Sequence, residues 1–317
     1  MIEHESLVEP KIEDKATAYY GGFIEYSTVG DEHEEHNPVL IVPGFTGGRQ
    51  VLEKFAVTLS SQGERKVIYP AQPTLDVKLQ EGLPIVDHHA MALLEVIDAE
   101  GLRRRSVDII THSFGSIVAV RMAELAKVMG MMSFDSEKGS HSVFISPAGS
   151  NDKENLVYLG GRWASFIGRS YIESFLSGKE LDPTGAMTKA GVKNFTKDKV
   201  KTAKEVNSLS KKSSIYENLG NIGIKPFVLG YSNDYMFPDR VVKTAIKSNG
   251  SNLEGYAMPI DTGGIGAASF SEFKAKTGLT GKEARKSWTH HYRNAGHNDF
   301  QFHPERTVAA ILQVIDR

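Results

Sequence analysis

Residues 106–120 read SVDIITHSFGSIVAV, and this stretch decides the fold. Its first half is an apolar run that ends at Ser113, and its second half repeats apolar residues at helical spacing. The pattern predicts a buried strand that passes directly into a helix. A serine on such a tight turn projects into the crevice at the strand end, with its hydroxyl beside the N–H groups of the helix start. A serine that only caps the helix is the alternative interpretation.

The turn around this serine requires small residues two positions to either side, because the strand and the helix have to approach each other closely. Gly115 meets this requirement. Thr111 does not, since its branched Cβ raises the steric cost, although the end of a strand can accommodate a small β-branched residue. Ser113 is therefore a candidate nucleophile, and the evidence for this role has to come from other parts of the sequence.

Strand-sized apolar runs alternate with helical patterns along the remaining sequence. This alternation predicts an α/β protein with a doubly wound, mostly parallel sheet, in which ligands bind at the carboxyl ends of the strands. The expected helices lie near residues 49–62, 86–99, 114–128 and 305–315, and the expected strands are GGFIEYSTVG (21–30, at the sheet edge), PVLIVPG (38–44), KVIYPA (66–71), SVDIITHS (106–113), HSVFISPA (141–148), KPFVLGYS (225–232) and SWTHHYRNA (287–295).

Two segments interrupt the alternation. Residues 149–221 contain helical pieces, and we expect them to form a helical cap inserted between the two parts of a core domain, residues 1–148 and 222–317. The Lys-rich stretch TKDKVKTAKEVNSLSKK (196–212) within this cap is interpreted as a solvated helix face. Residues 250–286 are expected to form a loop excursion with a short charged helix.

The chain has 317 residues, no cysteine and a formal net charge of -2. The lack of cysteine excludes disulfides, thiolate metal sites and cysteine nucleophiles, and the near-neutral charge gives no support to nucleic-acid binding. No run reaches the ~18 apolar residues of a membrane span, and the charged segment MIEHESLVEPKIEDK lacks the apolar core of a secretory signal. We therefore expect a cytoplasmic protein without an integral membrane segment.

A serine nucleophile needs a neighbouring base, and His297 is the best placed of the 11 histidines. It lies between the last predicted strand and the terminal helix, at the same sheet edge as Ser113. The other histidines suit the role less well: His290 and His291 lie inside a predicted strand, His112 is turned away from the serine by strand alternation, and His33, His36, His88 and His89 are expected to be exposed.

Asp234 is the candidate acid that would hold the tautomer of the base. It follows a predicted strand, in the loop NDYMFP (233–238), so its carboxylate would face the same crevice. Asp239 is the nearest competitor. It follows Pro238 in the first turn of a predicted helix, where an aspartate usually interacts with the helix dipole.

The backbone N–H groups of Phe45 and Phe114 are the candidate donors to an oxyanion. Phe114 directly follows the serine, and Phe45 lies in the Gly-rich loop PGFTGG (43–48). Neither this loop nor TGGIGAAS (262–269) has the spacing of a nucleotide-binding loop, so no cofactor is expected. The clusters EHEEH and HH lack a helical i, i+4 pair with a third ligand, so no metal site is expected either.

The motifs PGFTGG, THSFGS, GYSNDYMFP and NAGHN occur in this order at the predicted strand ends. With this set the chain resembles the α/β-hydrolase superfamily, and it is most similar to the branch of esterases, monoacylglycerol lipases and small acyl hydrolases. The resemblance covers about Pro38 to the carboxyl end and places a cap at residues 149–221. It implies Ser113 as nucleophile, Asp234 as acid and His297 as base.

Two residues depart from the pattern of this superfamily. Thr111 replaces the usual first glycine of the serine motif. Pro43 replaces the histidine that often precedes the glycine of the oxyanion loop, which affects the hydrogen-bond support of the loop but not the donor itself. The serine nucleophile also separates this chain from the epoxide hydrolases and haloalkane dehalogenases of the same superfamily, which use aspartate.

Together these features predict a serine hydrolase that cleaves a carboxylic ester of a medium-chain acid, a small-molecule substrate, through an acyl-enzyme on Ser113. The same triad can cleave amides, thioesters or a carbon–carbon bond in a 1,3-diketone. An acyltransferase and a non-catalytic ligand-binding protein of the same fold remain as alternatives. Four aromatic residues of the cap could line an acyl pocket, although a helical apolar stripe more often packs a cap onto its core: Trp163, Phe166, Tyr171 and Phe175.

Overall fold

A computed structural model shows the protein as a central sheet covered by helices. In the part of the chain that it describes, no helix is both long and apolar enough to cross a membrane. The described residues are 10–45, 48–71, 81–131, 133–149, 161, 199–209, 215–217, 219–231, 234, 236–237, 242–244, 246–247, 252–257, 270–285, 297, 299–302 and 304–316.

Within the described residues, the sheet has eight strands. In chain order they are β1 (Ile12–Tyr19), β2 (Gly22–Val29), β3 (Val39–Val42), β4 (Val67–Pro70), β5 (Asp108–His112), β6 (Ser142–Ile145), β7 (Pro226–Leu229) and β8 (Gly255–Ala257). Their order across the sheet is β1-β2-β4-β3-β5-β6-β7-β8. Strands β3 to β8 run parallel, whereas β1 and β2 form an antiparallel hairpin that joins the sheet where β2 pairs with β4. The predicted mostly parallel sheet is confirmed.

Helices cover both faces of the sheet, so the sheet is doubly wound as predicted. Val39 and Ile41 pack into one apolar cluster, and the alternate residues Leu40 and Val42 pack into the other. Because successive side chains of a strand point to opposite faces, a strand that is covered on both faces reads as a continuous apolar run. The helices of the described residues include α1 (Arg49–Gly63), α2 (Ile85–Ala99), α3 (Gly115–Val128), α4 (Lys199–Leu209), α5 (Leu219–Ile222), α6 (Phe270–Thr277), α7 (Asp299–Phe302) and α8 (Pro304–Ile315).

Two strands of the sheet were not predicted, and each lacks the sequence pattern of a buried strand. β1 lies at one edge of the sheet. Most of its side chains are exposed or half-buried, so its sequence contains no apolar run. It displaces the predicted edge strand, which is β2, to the second position in the sheet. β8 is only three residues long and lies inside the segment expected to be a loop excursion. The strand expected at residues 287–295 lies outside the described residues.

The expectation that His88 and His89 are exposed is wrong, because both side chains are buried in α2. This helix packs against α3, β1 and α4, so that little of its surface remains in contact with solvent. The helical spacing of apolar residues reveals one buried face, and it cannot reveal that another segment covers a second one. His33 is exposed as expected, whereas His36 is half-buried, with its ring nitrogen 3.4 Å from a guanidinium nitrogen of Arg65.

Helix α4, within the Lys-rich stretch, is solvated on one side only. Val200 and Lys204 are exposed, in agreement with the expected solvated face, but Glu205 and Ser208 are buried. Glu205 Oε1 lies 3.0 Å from Nε2 of His89, which connects this helix to α2 through a buried pair. A buried carboxylate without such a partner would cost several kcal/mol, on the order of 3–5, so the pair fixes how α4 lies on α2.

The side chain of His88 is completely buried, although only one of its two ring nitrogens lies near a hydrogen-bond partner among the described residues. Its Nδ1 lies 3.4 Å from the hydroxyl of Tyr19, and its Nε2 has no hydrogen-bond partner among the described residues. Burial, followed by the positive charges of His89 and Lys201, lowers the pKa of His88 to about 4. The folded protein therefore holds this ring in its neutral form over a range in which an unfolded chain would protonate it.

The free energy of unfolding should consequently decrease as the pH falls from about 6.5, the ordinary pKa of histidine, to about 4, with a slope of up to about 1.4 kcal/mol per pH unit from this residue. Above pH 6.5 the ring of His88 is neutral in both the folded and the unfolded protein, so this residue then causes no loss of stability. His88→Phe should flatten this acid limb in urea titrations at graded pH, and His33→Phe, at an exposed position, should leave it unchanged. Equal slopes for His88→Phe and the unmodified protein would contradict the prediction.

Candidate active site

Ser113 occupies a sharp turn between β5 and α3. Its φ angle is +52°, in the left-handed region that non-glycine residues rarely adopt. Its N–H donates to the carbonyl of Ile145 (3.0 Å), and its own carbonyl accepts from the N–H groups of Ser116 and Ala148 (both 3.1 Å). Such a conformation costs about 1–3 kcal/mol and persists only where the surrounding structure holds it in place, which happens most often at functional sites.

The turn is possible because the backbone of α3 lies directly against the end of β3. A Cβ atom at Gly115 would collide with the carbonyl oxygen of Val42 and would lie 2.8 Å from that of Pro43. The structure also shows why Thr111 is tolerated on the other side of the serine. Its side chain is fully buried, and its hydroxyl lies 2.7 Å from that of Ser116, so the two hydroxyls satisfy each other.

Asp234 and His297, which are 63 positions apart, form a buried hydrogen bond. The Nδ1 atom of His297 lies 2.9 Å from Oδ2 of Asp234, with side chains that are 9% and 0% exposed. The other carboxylate oxygen of Asp234 accepts the backbone N–H groups of Met236 (2.8 Å) and Phe237 (2.9 Å). These bonds fix the carboxylate, which follows β7 as predicted. Asp239, the competing candidate, lies outside the described residues.

His112 belongs to this cluster, although sequence reasoning set it aside. Its Nε2 lies 2.8 Å from the backbone carbonyl oxygen of His297, and the two rings have centroids 4.5 Å apart. The ring of His112 also contacts that of Phe300, at 4.6 Å between centroids. Strand alternation does turn the side chain away from Ser113, but towards the loop that carries His297. Only the pairing of distant segments could have revealed this contact.

The loop after β3 runs beside the serine. A Cβ atom at Gly44 would lie 2.8 Å from Nδ1 of His112 and 3.4 Å from Cβ of Ser113, so the two segments touch. Phe45 packs against the core cluster that also contains Phe114. The ring of Phe114 in turn meets that of His89 edge-on, at 5.6 Å. Both residues expected to supply oxyanion donors therefore lie at the strand ends beside Ser113.

Comparisons with known proteins agree with this architecture. An α/β-hydrolase enzyme, MGS-M2, from a Medee basin deep-sea metagenome library is similar with a TM-score of 0.62 and 12% identity, over 96% of this chain and 98% of that one. A membrane phospholipase A, a bacterial virulence factor, is similar with a TM-score of 0.59 and 14% identity, over 96% and 86%. A thermophilic esterase from Thermogutta terrifontis is similar with a TM-score of 0.56 and 13% identity, over 96% and 97%.

The chain has the α/β-hydrolase fold. No protein-family model matches the sequence, and a search of curated proteins gives no match. At 12–14% identity these likenesses show the fold alone. Within this fold, the three candidate side chains follow β5, follow β7 and precede α7, and the hydrogen bond between Asp234 and His297 connects the last two segments.

The predicted cap and the predicted pocket residues lie partly or wholly outside the described residues. The expected cap is described only in part, and its boundaries at 149 and 221 stay predictions. The described residues include no group of three or more His, Asp or Glu side chains that could hold a metal ion. The candidate pocket aromatics that fall outside the described residues are Trp163, Phe166, Tyr171 and Phe175.

The close approach at Gly115 gives a test of the turn. Gly115→Ala should lower the free energy of unfolding by about 1–3 kcal/mol, because the colliding partners are backbone carbonyls that cannot move aside without displacing β3. Gly220→Ala is the matched control, since its added Cβ would meet only an ordinary contact at 3.6 Å, and it should stay within about 1 kcal/mol of the unmodified protein. Urea denaturation measures both, and equal stabilities of the two variants would refute the close contact.

Proposed function

We propose that this protein is a serine hydrolase that cleaves a carboxylic ester through an acyl-enzyme on Ser113. The observation that carries the proposal is the buried hydrogen bond from Nδ1 of His297 to Asp234, on a loop whose backbone is bonded to His112, the residue before a serine held in a left-handed strand-to-helix turn. A base oriented by a carboxylate and a serine at the start of a helix are the parts that acyl transfer needs.

The hydrogen bond determines which nitrogen of His297 is basic. An ionised carboxylate can only accept, so Nδ1 carries the proton, and the unprotonated nitrogen of the neutral ring is Nε2. An unprotonated imidazole nitrogen is the atom that can take a proton from a serine hydroxyl. The buried carboxylate of Asp234 then stabilises the imidazolium that results.

The reaction follows in two halves. Ser113 Oγ attacks the ester carbonyl carbon while its proton passes to Nε2 of His297, and the N–H groups of Phe45 and Phe114 stabilise the oxyanion. The intermediate collapses, the alcohol leaves with the proton from His297, and the acyl group remains on Ser113. A water molecule then gives its proton to His297 and attacks the acyl group, which releases the acid and restores the serine. The residues named here require no metal ion or cofactor for these steps.

The substrate class is proposed from chemistry and from the structural relatives. Two of the proteins with a similar fold are described as an esterase and a phospholipase A. Both names denote the cleavage of carboxylic esters, which supports a carboxylic ester as the substrate class of this chain, and the medium chain length of the acid stays a prediction from the sequence. An acyltransferase would use the same acyl-enzyme and would pass the acyl group to an alcohol instead of water.

Ser113→Ala should lower kcat for p-nitrophenyl esters by about 10⁶-fold if the three residues act as a unit. Ser61→Ala, an exposed serine on α1, is the matched control and should keep full activity. Mass spectrometry should find a fluorophosphonate probe on Ser113 of the unmodified protein. Activity of Ser113→Ala within tenfold of the unmodified protein would make the assignment wrong. A protein that hydrolyses no ester and takes up no probe would favour the non-catalytic alternative.

Asp234→Asn should lower kcat by about 10⁴-fold, because an amide nitrogen can donate to Nδ1 and thereby favour the wrong tautomer of His297. The amide oxygen can still accept the N–H groups of Met236 and Phe237, so the loop should stay folded. Thermal unfolding of the variant checks this point. A kcat close to that of the unmodified protein would show that Asp234 does not orient the base.

A further inference from the structure

His112 lies where three segments of the candidate site meet. It is the last residue of β5, directly before Ser113. Its ring contacts those of His297 and Phe300, with centroids 4.5 and 4.6 Å away. On the side of the oxyanion loop, its Nδ1 would lie 2.8 Å from a Cβ atom placed on Gly44. One buried side chain thus touches the segments that carry the serine, the base and the candidate oxyanion donor.

We propose that His112 is a positioning residue that holds the backbone of His297 through the hydrogen bond from Nε2–H to the carbonyl oxygen of His297. This inference rests on the proposed function, since it assigns a role relative to the base of that reaction. The bond length of 2.8 Å is that of a well-formed hydrogen bond. Because a carbonyl oxygen can only accept, the proton of the His112 ring is on Nε2.

The surroundings of His112 keep it in this one form. Complete burial, followed by the positive charge that His297 can acquire, holds the pKa of His112 well below its usual range. A neutral ring with its proton on Nε2 leaves Nδ1 unprotonated on the side of Gly44. Burial and the charge of a protonated His297 thus both disfavour a second cation at His112.

The base is then fixed at two points that control different motions. Asp234 binds the ring of His297 at Nδ1, which sets its rotation, whereas His112 binds the backbone of the same residue, which sets its distance from β5. Proton transfer depends steeply on distance, and a displacement of about 1 Å can cost about 10²-fold in rate. A bond to the backbone of the base is therefore expected to affect kcat more than KM.

Two substitutions of His112, to Gln and to Met, test the hydrogen bond to the carbonyl of His297, because the two new side chains have nearly the same length. The amide N–H₂ of Gln in His112→Gln can reach the carbonyl of His297, whereas Met in His112→Met fills similar space and has no donor. We expect kcat, per active site titrated with a fluorophosphonate, to fall about 10²-fold in His112→Met, with KM within about threefold. His112→Gln should stay within about tenfold, and His33→Met, at an exposed position, should equal the unmodified protein.

A purely structural role would lower the thermal stability of both variants and leave kcat per titrated site equal in the two. Equal kcat values would therefore overturn the proposal. A second readout needs no activity: the proton on Nδ1 of His297 should give a downfield NMR signal that is retained in His112→Gln and lost or shifted in His112→Met. An unchanged signal in His112→Met would also overturn it. If the unmodified protein hydrolyses no ester, the proposed function fails, and the NMR comparison alone decides the role of His112.

Discussion

The left-handed turn at Ser113 is the constraint on which the rest of the site depends. A non-glycine residue with φ of +52° is stable only if neighbouring segments hold it, and here the end of β6 does so through the bond from Ser113 N–H to Ile145. The missing side chain of Gly115 lets α3 approach β3 closely enough to continue the turn. Parallel strands bring their carboxyl ends to one edge of a sheet, so the loops after β3, β5 and β7 leave the sheet at the same edge.

The same turn explains why His112 lies against His297. Side chains alternate along β5, so His112 shares a face of the sheet with Ile110, whose apolar cluster contains Phe300 of α7. The segment that enters α7 carries His297, and its carbonyl therefore meets the ring of His112. Ser113 begins the turn out of the sheet, whereas the ring of the adjacent His112 contacts the loop that carries His297, the base of the proposed reaction.

The sequence allowed the prediction of those parts of the fold that repeat a pattern over several residues. Strands buried on both faces are continuous apolar runs, and the candidate residues Ser113 and Asp234 follow directly after two of them. β1 and β8 were not predicted, because β1 is mostly exposed and β8 has only three residues. The burial of His89 depends on Glu205, 116 positions away, and no local pattern contains such a pairing. The buried partners of His89 and His112 are thus what sequence reasoning could not reach, whereas Asp234 could be proposed as the partner of His297 from its place after a strand.

Two buried histidines lie side by side in this site, and their partners determine what each ring can do. His297 donates to a carboxylate, which stabilises a protonated ring, whereas His112 donates to a neutral carbonyl, which offers far less compensation for a buried charge. A protonated His112 beside a protonated His297 would place two cations with centroids 4.5 Å apart in a buried region. Proton uptake at His297 would therefore disfavour a charge on His112 further, so that in the proposed reaction one histidine is the base and the other a fixed support.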